Sequence, residues 1–288
     1  MHDNEVATDA DLVRALLASQ HPQWAGLPIE RVASAGTDNA IYRLGDELAV
    51  RLPRIDWAFD NVAKEQRWLP VLAPHLPLPV PRPLATGAPE AAFPYPWGVV
   101  QWLPGELATS ERFDDPIEAA RDLGAFVRAL QAVDSTGAPT PVRGLPVRNG
   151  DAMVRIGIEG LRGEVDADAV AEAWDRVLAA PDYDGQPVWF HGDLSYLNLL
   201  AHHGKLAAVI DWGTCGVGDP AIDCLPAWRL FPPAARAVYR DALGVDDATW
   251  ERARGWVLQG VYGIAYYRDT NPVLAGDLIR GIEALLAE

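Results

Sequence analysis

Two short segments in the second half of the chain place three oxygen-bearing side chains at a fixed spacing. The first, His191-Gly-Asp-Leu-Ser-Tyr-Leu-Asn198, has a carboxylate, Asp193, five residues before the amide of Asn198. The second, Ile210-Asp-Trp-Gly213, has another carboxylate, Asp211, directly after an apolar run. Phosphoryl transfer needs such a trio, because one carboxylate orients the acceptor hydroxyl while an amide and a second carboxylate hold Mg²⁺. The spacing is thus compatible with a catalytic loop followed by a metal-binding strand end.

The spacing of these side chains resembles that of protein kinases, in which H-R-D-x-x-x-x-N is followed by D-F-G. Gly192 and Trp212 stand where kinases have Arg and Phe. This combination resembles the aminoglycoside phosphotransferase family, whose G-D-P-x-x-D segment matches Gly218-Asp-Pro-Ala-Ile-Asp223. The resemblance covers most of the chain. It implies an α+β, bilobal protein-kinase-like fold with a small mixed N-terminal lobe, containing an antiparallel sheet, and a larger, mainly helical C-terminal lobe.

Hydrophobic periodicity and turn residues divide the chain in the same way. In the first part we expect helices at 9–19 and 60–72, strands at 29–34, 40–45, 47–52 and 98–103, and an extended run at 74–83. Later we expect helices at 116–133, 149–161, 166–179, 221–230, 232–243, 247–269 and 272–286, with short strands at 188–190, 197–200 and 206–210. The predicted domains are a nucleotide-binding lobe, 1–102, and a helical lobe, 103–288, that carries the catalytic loop and the acceptor site.

The resemblance gives the catalytic role to Asp193, as the carboxylate that accepts a hydrogen bond from the acceptor hydroxyl and directs it in line. Taken alone, Asp193 would also fit a turn aspartate that caps a following helix. Asn198 and Asp211 are the implied Mg²⁺ ligands, and the apolar run before Asp211 predicts a buried strand end. Gly213 is expected to permit an unusual backbone turn directly after this strand.

Three further residues are expected to support the catalytic loop rather than take part in the chemistry. His191 would hold the loop through hydrogen bonds. Asp219 can cap the helix that Pro220 begins, because aspartate accepts hydrogen bonds from the first N–H groups of a helix and proline suits its first position. Asp223, one turn later, could tie that helix back to the loop.

Nucleotide contacts are expected in two places in the small lobe. The segment 34–39 stands where the family has its phosphate-covering loop, although a single glycine is a weak signal alone. The segment 101–103 stands at the hinge, where backbone groups would meet the purine edge of ATP or GTP. The implied contacts are Gly36, Thr37 and Asn39 in the loop and Gln101, Trp102 and Leu103 in the hinge.

Arg51 is a departure from the family pattern. It lies in Leu48-Ala-Val-Arg-Leu52, where a kinase carries the lysine that contacts the α- and β-phosphates. Arginine keeps the charge and can hold two phosphate oxygens, but its planar fork differs from an ammonium. We predict that Arg51 pairs with Glu65 of the next helix, since a buried cation needs a counter-charge. In the strand, Arg51 should share a face with Ala49, opposite Val50 and Leu52.

The composition excludes several classes of function. With 24 basic and 40 acidic residues the formal charge is −16, which repels nucleic acid and attracts cations. Uninterrupted apolar runs are all too short to span a membrane, and the N-terminus lacks the pattern of a secretory signal. Two cysteines are too few for a disulfide framework or a zinc site. We expect a cytoplasmic protein without nucleic-acid or membrane partners.

The expected function is transfer of the γ-phosphoryl group of ATP or GTP, with Mg²⁺, to a hydroxyl of a small molecule. The resemblance implies an antibiotic, most simply an aminoglycoside, whose positive charges would suit an acidic site. Other acceptors stay open: a macrolide or nucleoside antibiotic, or a metabolite such as an amino alcohol or sugar. A third possibility, suggested by Arg51, is a nucleotide-binding module with weak transfer activity.

Overall fold

The computed structural model describes residues 5–33, 38–56, 59–139, 143–161 and 165–288. Backbone contacts divide the chain into two compact units. The first unit comprises residues 1–74, 79–104 and 208–213, and the second comprises residues 75–78, 105–207 and 214–288. The segment 208–213, which contains Asp211, is therefore part of the first unit although it lies far along the chain.

The described part of the first unit contains a five-stranded sheet and two α-helices. Its elements are α1 (Ala10–Gln20), β1 (Ile29–Arg31), β2 (Asn39–Leu44), β3 (Leu48–Pro53), α2 (Phe59–Leu72), β4 (Pro83–Gly87) and β5 (Trp97–Gln101). The strand order is β1-β2-β3-β5-β4, and every neighbouring pair is antiparallel. Gly45, with φ of +59°, lies in the tight turn between β2 and β3, and Asp9 caps α1 through the N–H of Leu12 at 2.8 Å.

Strand β3 has two faces with different surroundings. Val50 and Leu52 belong to the hydrophobic core of the first unit, together with residues of α1, β2 and β5. Arg51 points to the opposite face, as predicted, because successive side chains of a strand alternate. It lies opposite Gly98 of β5, and a Cβ on Gly98 would be 3.5 Å from Val62 of α2. Helix α2 therefore packs over the face that carries Arg51.

The second unit is mainly helical. Its helices are α3 (Pro116–Gln131), α4 (Asp151–Gly160), α5 (Ala167–Ala179), α6 (Pro226–Arg229), α7 (Pro233–Leu243), α8 (Asp247–Leu258), α9 (Gly260–Tyr267) and α10 (Pro272–Leu286). Its strands are β6 (Glu106–Leu107), β7 (Val188–Phe190), β8 (Leu199–His202), β9 (Lys205–Val209) and β10 (Gly216–Gly218), with β9 running on into segment 208–213. Strand β7 pairs with β10, and β8 lies between β6 and β9. Helix α3 packs on α7, and α9 packs on both α4 and α10.

Several predicted elements differ from the structure, and the strand β6 (Glu106–Leu107) was not predicted. The helix expected over 247–269 is two helices, α8 and α9, which meet at Gln259 and Gly260, since glycine is a poor helix former. The helix expected over 221–230 is a 3₁₀ turn followed by the short α6, because Pro226 lacks the N–H that a continuous helix needs. Strand β4 begins at Pro83, within the expected extended run, and β10 was not predicted. In the part of the chain that the structure describes, no helix is both long and apolar enough to cross a membrane.

Candidate active site

The loop that carries Asp193 connects β7 with β8 and depends on Gly192. Gly192 has φ of +85°, and a Cβ at this position would lie 2.9 Å from the carbonyl oxygen of Thr214. A side chain here would be strained both by the backbone angle and by this contact. The hydroxyl of Thr214 in turn donates to the carbonyl oxygen of His191 at 3.0 Å. The turn before Asp193 is therefore fixed by close packing.

Asp223 anchors this loop, as predicted. Its carboxylate oxygens accept the N–H of His191 at 2.7 Å and the N–H of Gly192 at 2.8 Å. Tyr239 of α7 donates its hydroxyl to the backbone carbonyl of Asp223 at 2.6 Å. Burial raises the pKa of the Asp223 carboxyl to about 7, although its two N–H donors act in the opposite direction. The 3₁₀ turn at 220–224 is thus tied to the catalytic loop.

Asp219 and His191 also hold the structural positions expected of them. Asp219 caps the turn at 220–224 by accepting the N–H of Ala221 at 3.0 Å. Its other oxygen accepts from the guanidinium of Arg252 at 2.7 Å, and both side chains are buried. His191 is fully buried, and its Nδ1 accepts the N–H of Asp193 at 3.3 Å. This hydrogen bond favours a role for His191 in holding the loop.

The carboxylate of Asp193 is 35% exposed and has two side-chain partners. Arg143 donates to Oδ1 at 2.8 Å, and the amide of Asn198 donates to Oδ2 at 3.0 Å. Burial opposes ionisation of Asp193, but the guanidiniums of Arg143 and Arg229 outweigh it and hold the pKa of Asp193 below its ordinary value. The group is therefore an ionised carboxylate at neutral pH, able to accept a hydrogen bond from a hydroxyl.

Sequence reasoning missed Arg143. It also donates to the carbonyl oxygen of Gly192 at 2.9 Å, so it contacts both the turn and the carboxylate that follows. Arg229 is itself held by an ion pair with Asp277 of α10. Arg143 belongs to no recognisable sequence motif. Its contact with the site is seen only in the fold, where it lies beside Asp193.

Asn198 is oriented so that its oxygen can serve as a ligand. Its Nδ2 donates to the carboxylate of Asp193 and, at 2.8 Å, to the backbone carbonyl of the same residue. The amide oxygen therefore points away from these acceptors. Among the described residues no group of three or more His, Cys, Asp or Glu side chains could hold a metal. A pair of oxygen ligands fits Mg²⁺, which commonly takes one or two protein oxygens and the rest from phosphates and water.

Asp211 lies two residues after the end of β9 in an uncommon backbone conformation. Its φ is +61°, in the left-handed region that residues with a Cβ rarely adopt. We expected the unusual turn at Gly213, but the positive φ belongs to Asp211. Gly213 is instead required by packing, since a Cβ there would lie 2.7 Å from the amide of Asn61. The Asp211 side chain is 44% exposed.

The predicted ion pair between Arg51 and Glu65 is present. Arg51 Nη1 lies 2.5 Å from both carboxylate oxygens of Glu65, and Nη2 lies 2.6 Å from Oδ1 of Asp211. Burial lowers the pKa of Arg51, but the two carboxylates raise it above its ordinary value. Glu65 also accepts the N–H of Trp212 at 2.9 Å, and Lys64 donates to the carbonyl of Gly213 at 2.6 Å. Arg51, Glu65 and Asp211 thus form one cluster of charged side chains within the first unit.

The expected nucleotide contacts are described only in part. Gly36 and Thr37 lie outside the described residues. Asn39 is buried at the start of β2. At the expected hinge, the N–H of Gln101 donates to the backbone carbonyl oxygen of Arg82 at 2.9 Å. The N–H of Trp102 donates to the backbone carbonyl oxygen of Glu47 at 2.7 Å. These two N–H groups are therefore hydrogen-bonded within the first unit.

Comparison with known proteins identifies the family. A model described as the phosphotransferase enzyme family matches residues 30–256. The chain belongs to this family. It is therefore an enzyme of the phosphotransferase type, as the motif around Asp193 predicts. An aminoglycoside 3'-phosphotransferase from Escherichia coli is 29% identical over 244 residues, which cover 78% of this chain and 84% of that protein.

Solved structures share the fold over nearly the whole chain. The GDP complex of wild-type aminoglycoside 2'-phosphotransferase-IIIa has a TM-score of 0.74 at 17% identity, covering 97% of this chain and 99% of the other. A macrolide 2'-phosphotransferase from Brachybacterium faecium has a TM-score of 0.62 at 25% identity, covering 95% and 98%. These similarities confirm the α+β, bilobal protein-kinase-like fold.

Proposed function

We propose that this phosphotransferase moves the γ-phosphoryl group of ATP or GTP to a hydroxyl group of an aminoglycoside. The observation that carries the proposal is the ionised carboxylate of Asp193, held by Arg143 and Asn198 on a loop that Asp223 anchors. A family of phosphotransferases supplies the reaction type, and this carboxylate supplies the group that such a reaction needs.

Asp193 acts on the acceptor hydroxyl. It accepts the hydroxyl hydrogen and directs the oxygen in line with the γ-phosphorus atom. A bond forms between this oxygen and phosphorus, the bond from phosphorus to the β-phosphate oxygen breaks, and the hydroxyl proton passes to Asp193. The products are the phosphorylated acceptor and a nucleoside diphosphate. A low pKa suits this role because the carboxylate is ready to accept, and proton transfer can occur late in a loose transition state.

Asn198 and Asp211 are the proposed Mg²⁺ ligands, through the free amide oxygen of the one and the carboxylate of the other. Mg²⁺ would neutralise charge on the phosphate oxygens. Arg51, held by Glu65, is proposed to bind α- and β-phosphate oxygens in place of the usual lysine. Its guanidinium suits this because it can donate two parallel hydrogen bonds to phosphate. Gly36, Thr37, Asn39 and residues 101–103 remain the proposed contacts to the rest of the nucleotide.

Relatives support an aminoglycoside as the acceptor. The Escherichia coli relatives are aminoglycoside 3'-phosphotransferases, and structures of similar fold contain kanamycin with GDP, or gentamicin. The net charge of −16 favours a cationic acceptor by long-range attraction. Modification of such an antibiotic would confer resistance, and dependence on nucleoside triphosphate supports the proposal that the activity is cytoplasmic. The similarity at 25% identity to a macrolide 2'-phosphotransferase makes a macrolide the second candidate.

The test is phosphorylation of a panel of acceptors by the purified protein. Kanamycin, gentamicin, a macrolide and an amino alcohol are each incubated with ATP or GTP and Mg²⁺, with Asp193→Asn as the control. We expect ³¹P NMR to show a phosphate monoester on an aminoglycoside, formed at the rate of nucleoside diphosphate release and almost absent with the variant. A product formed only from the macrolide would mean that the acceptor is a macrolide and not an aminoglycoside. Release of diphosphate without any phosphorylated acceptor would contradict the proposal.

A further inference from the structure

Arg51 uses both ends of its guanidinium fork, and the two ends bind different carboxylates. Nη1 holds Glu65 at 2.5 Å, while Nη2 holds Oδ1 of Asp211 at 2.6 Å. The planar fork of arginine presents donors in two directions, whereas the ammonium of lysine is a single point charge at the end of a flexible four-carbon stem. The replacement of lysine by arginine therefore brings a second interaction, directed at the proposed metal ligand.

The second interaction places a cation on the oxygen that a metal ion would use. Mg²⁺ binds carboxylate oxygens at about 2.0–2.1 Å. A metal ion bound to Oδ1 of Asp211 and a guanidinium nitrogen 2.6 Å from the same oxygen would be close like charges. Arg51 is 8% exposed, so water screens this repulsion weakly. The metal ion and the Nη2 group are therefore competitors for Asp211.

The backbone around Asp211 is held in place, which fixes the direction of its Cα–Cβ bond. Its φ of +61° is fixed between β9 and two contacts with helix α2. The N–H of Trp212 donates to Glu65 at 2.9 Å, and the ammonium of Lys64 donates to the carbonyl of Gly213 at 2.6 Å. The side chain of Arg51, which is longer and has more rotatable bonds, is the partner that can move.

We propose that Arg51 is a positioning residue that competes with the divalent cation for Asp211. Without metal, Nη2 neutralises Asp211 and holds its carboxylate in place. When the metal ion binds, Nη2 leaves Asp211 and becomes free to bind phosphate oxygens, while Nη1 keeps its ion pair with Glu65. Release of the arginine thereby couples metal binding to nucleotide binding. This inference rests on the proposed role of Asp211 as a metal ligand.

The test measures metal affinity in the absence of nucleotide. Mn²⁺, as a paramagnetic substitute for Mg²⁺, is titrated into the wild type, Arg51→Lys and Arg54→Lys, and free Mn²⁺ is counted by electron paramagnetic resonance. Arg54 is the matched control because it forms an ion pair with Glu5 at 2.9 Å, also largely buried in the first unit. We expect Arg51→Lys to bind Mn²⁺ about tenfold more tightly, the factor that corresponds to one charge-assisted hydrogen bond, and Arg54→Lys to match the wild type.

Adding Asp211→Asn to Arg51→Lys should abolish the gain in affinity, which locates it at this carboxylate. Equal or weaker Mn²⁺ binding by Arg51→Lys would overturn the competition, even if the enzyme phosphorylates its acceptor. Absence of Mn²⁺ binding from every protein, with nucleotide added as well, would overturn both the competition and the metal ligands of the proposed function. If Arg51→Lys does not fold, the competition is tested in the wild type by measuring rotation of the Arg51 guanidinium from its ¹⁵N resonances. Mg²⁺ should speed rotation of this group, and unchanged rotation at saturating Mg²⁺ would refute the proposal.

Discussion

Replacing Gly192 by alanine tests how the backbone of the catalytic loop positions Asp193. Gly192 has φ of +85°, and a Cβ there would lie 2.9 Å from the carbonyl oxygen of Thr214 and 3.2 Å from the ring of Phe190. Holding alanine in a left-handed conformation costs about 1–2 kcal/mol. Displacing packed neighbours costs about 1–3 kcal/mol more. We therefore expect the free energy of unfolding, measured in urea, to fall by about 2–5 kcal/mol.

Gly137→Ala is the matched control for this substitution. Gly137 has φ of +72°, but no heavy atom of the described residues lies within 4 Å of where its Cβ would be. It should therefore lose only the conformational part, about 1–2 kcal/mol. The two variants share the backbone penalty, so the difference between them reports the contact of the loop with Thr214 and Phe190.

The two variants should also differ in catalysis. Because Asp193 is the residue after Gly192, Gly192→Ala should lower kcat by about 10²-fold, the effect of displacing a reacting group by about 1 Å. Gly137→Ala should leave kcat unchanged. Equal losses of stability in the two variants would show that the loop is not closely packed. Wild-type kcat for Gly192→Ala would refute the positioning of Asp193 by this turn.

Three further predictions concern the carboxylates and the amide of the site. Asp193→Asn should lower the rate of transfer by about 10²–10⁴-fold while nucleotide affinity stays near the wild-type value; steady-state kinetics with a confirmed acceptor check this, and half the wild-type rate would disprove the assignment. Asp211→Ala and Asn198→Ala should each weaken nucleotide binding only when Mg²⁺ is present, as calorimetric titration with and without the metal would show. Unchanged metal dependence in both variants would contradict their role as ligands. The pKa of Asp223 is raised from 3.8 to about 7 in the folded state, so the folded protein binds more protons between these values. The contribution of Asp223 to the free energy of unfolding should therefore fall by up to about 4 kcal/mol as the pH rises from about 4 to about 7. Above pH 7 it should stay constant. Unfolding in urea from pH 5 to pH 8, with Asp223→Asn as reference, measures this change, and a constant difference between the two proteins would contradict the raised pKa.

Local spacing was enough to single out Asp193 and Asn198 as candidate site residues. Asp193 and Asn198 lie five positions apart in one short segment, so their relation does not depend on the rest of the chain. Asp223 could be connected to this loop because the segment 218–223 resembles the G-D-P-x-x-D segment of the family. Likewise, the period of two along β3 predicted which face of the strand carries Arg51.

Contacts between distant segments could not be predicted in this way. Arg51 binds Asp211, which is 160 residues away in the sequence, and Arg143 binds Asp193 across 50 residues. No periodicity or motif relates such pairs, because they meet only through the packing of several elements. The positive φ of Asp211 was misplaced at Gly213 for a related reason. Glycine permits such an angle, but the surrounding contacts decide which residue adopts it.

The return of segment 208–213 to the first unit limits how this protein can be divided. A polypeptide that ends at Pro104 contains the whole five-stranded sheet and helix α2 but lacks the last piece of the unit. In such a fragment Glu65 would lose the N–H of Trp212, and Arg51 would lose one of its two carboxylates. The first unit is thus built from segments that are not contiguous in the sequence. Replacing one continuous stretch of the chain by that of a relative therefore cannot exchange the first unit alone.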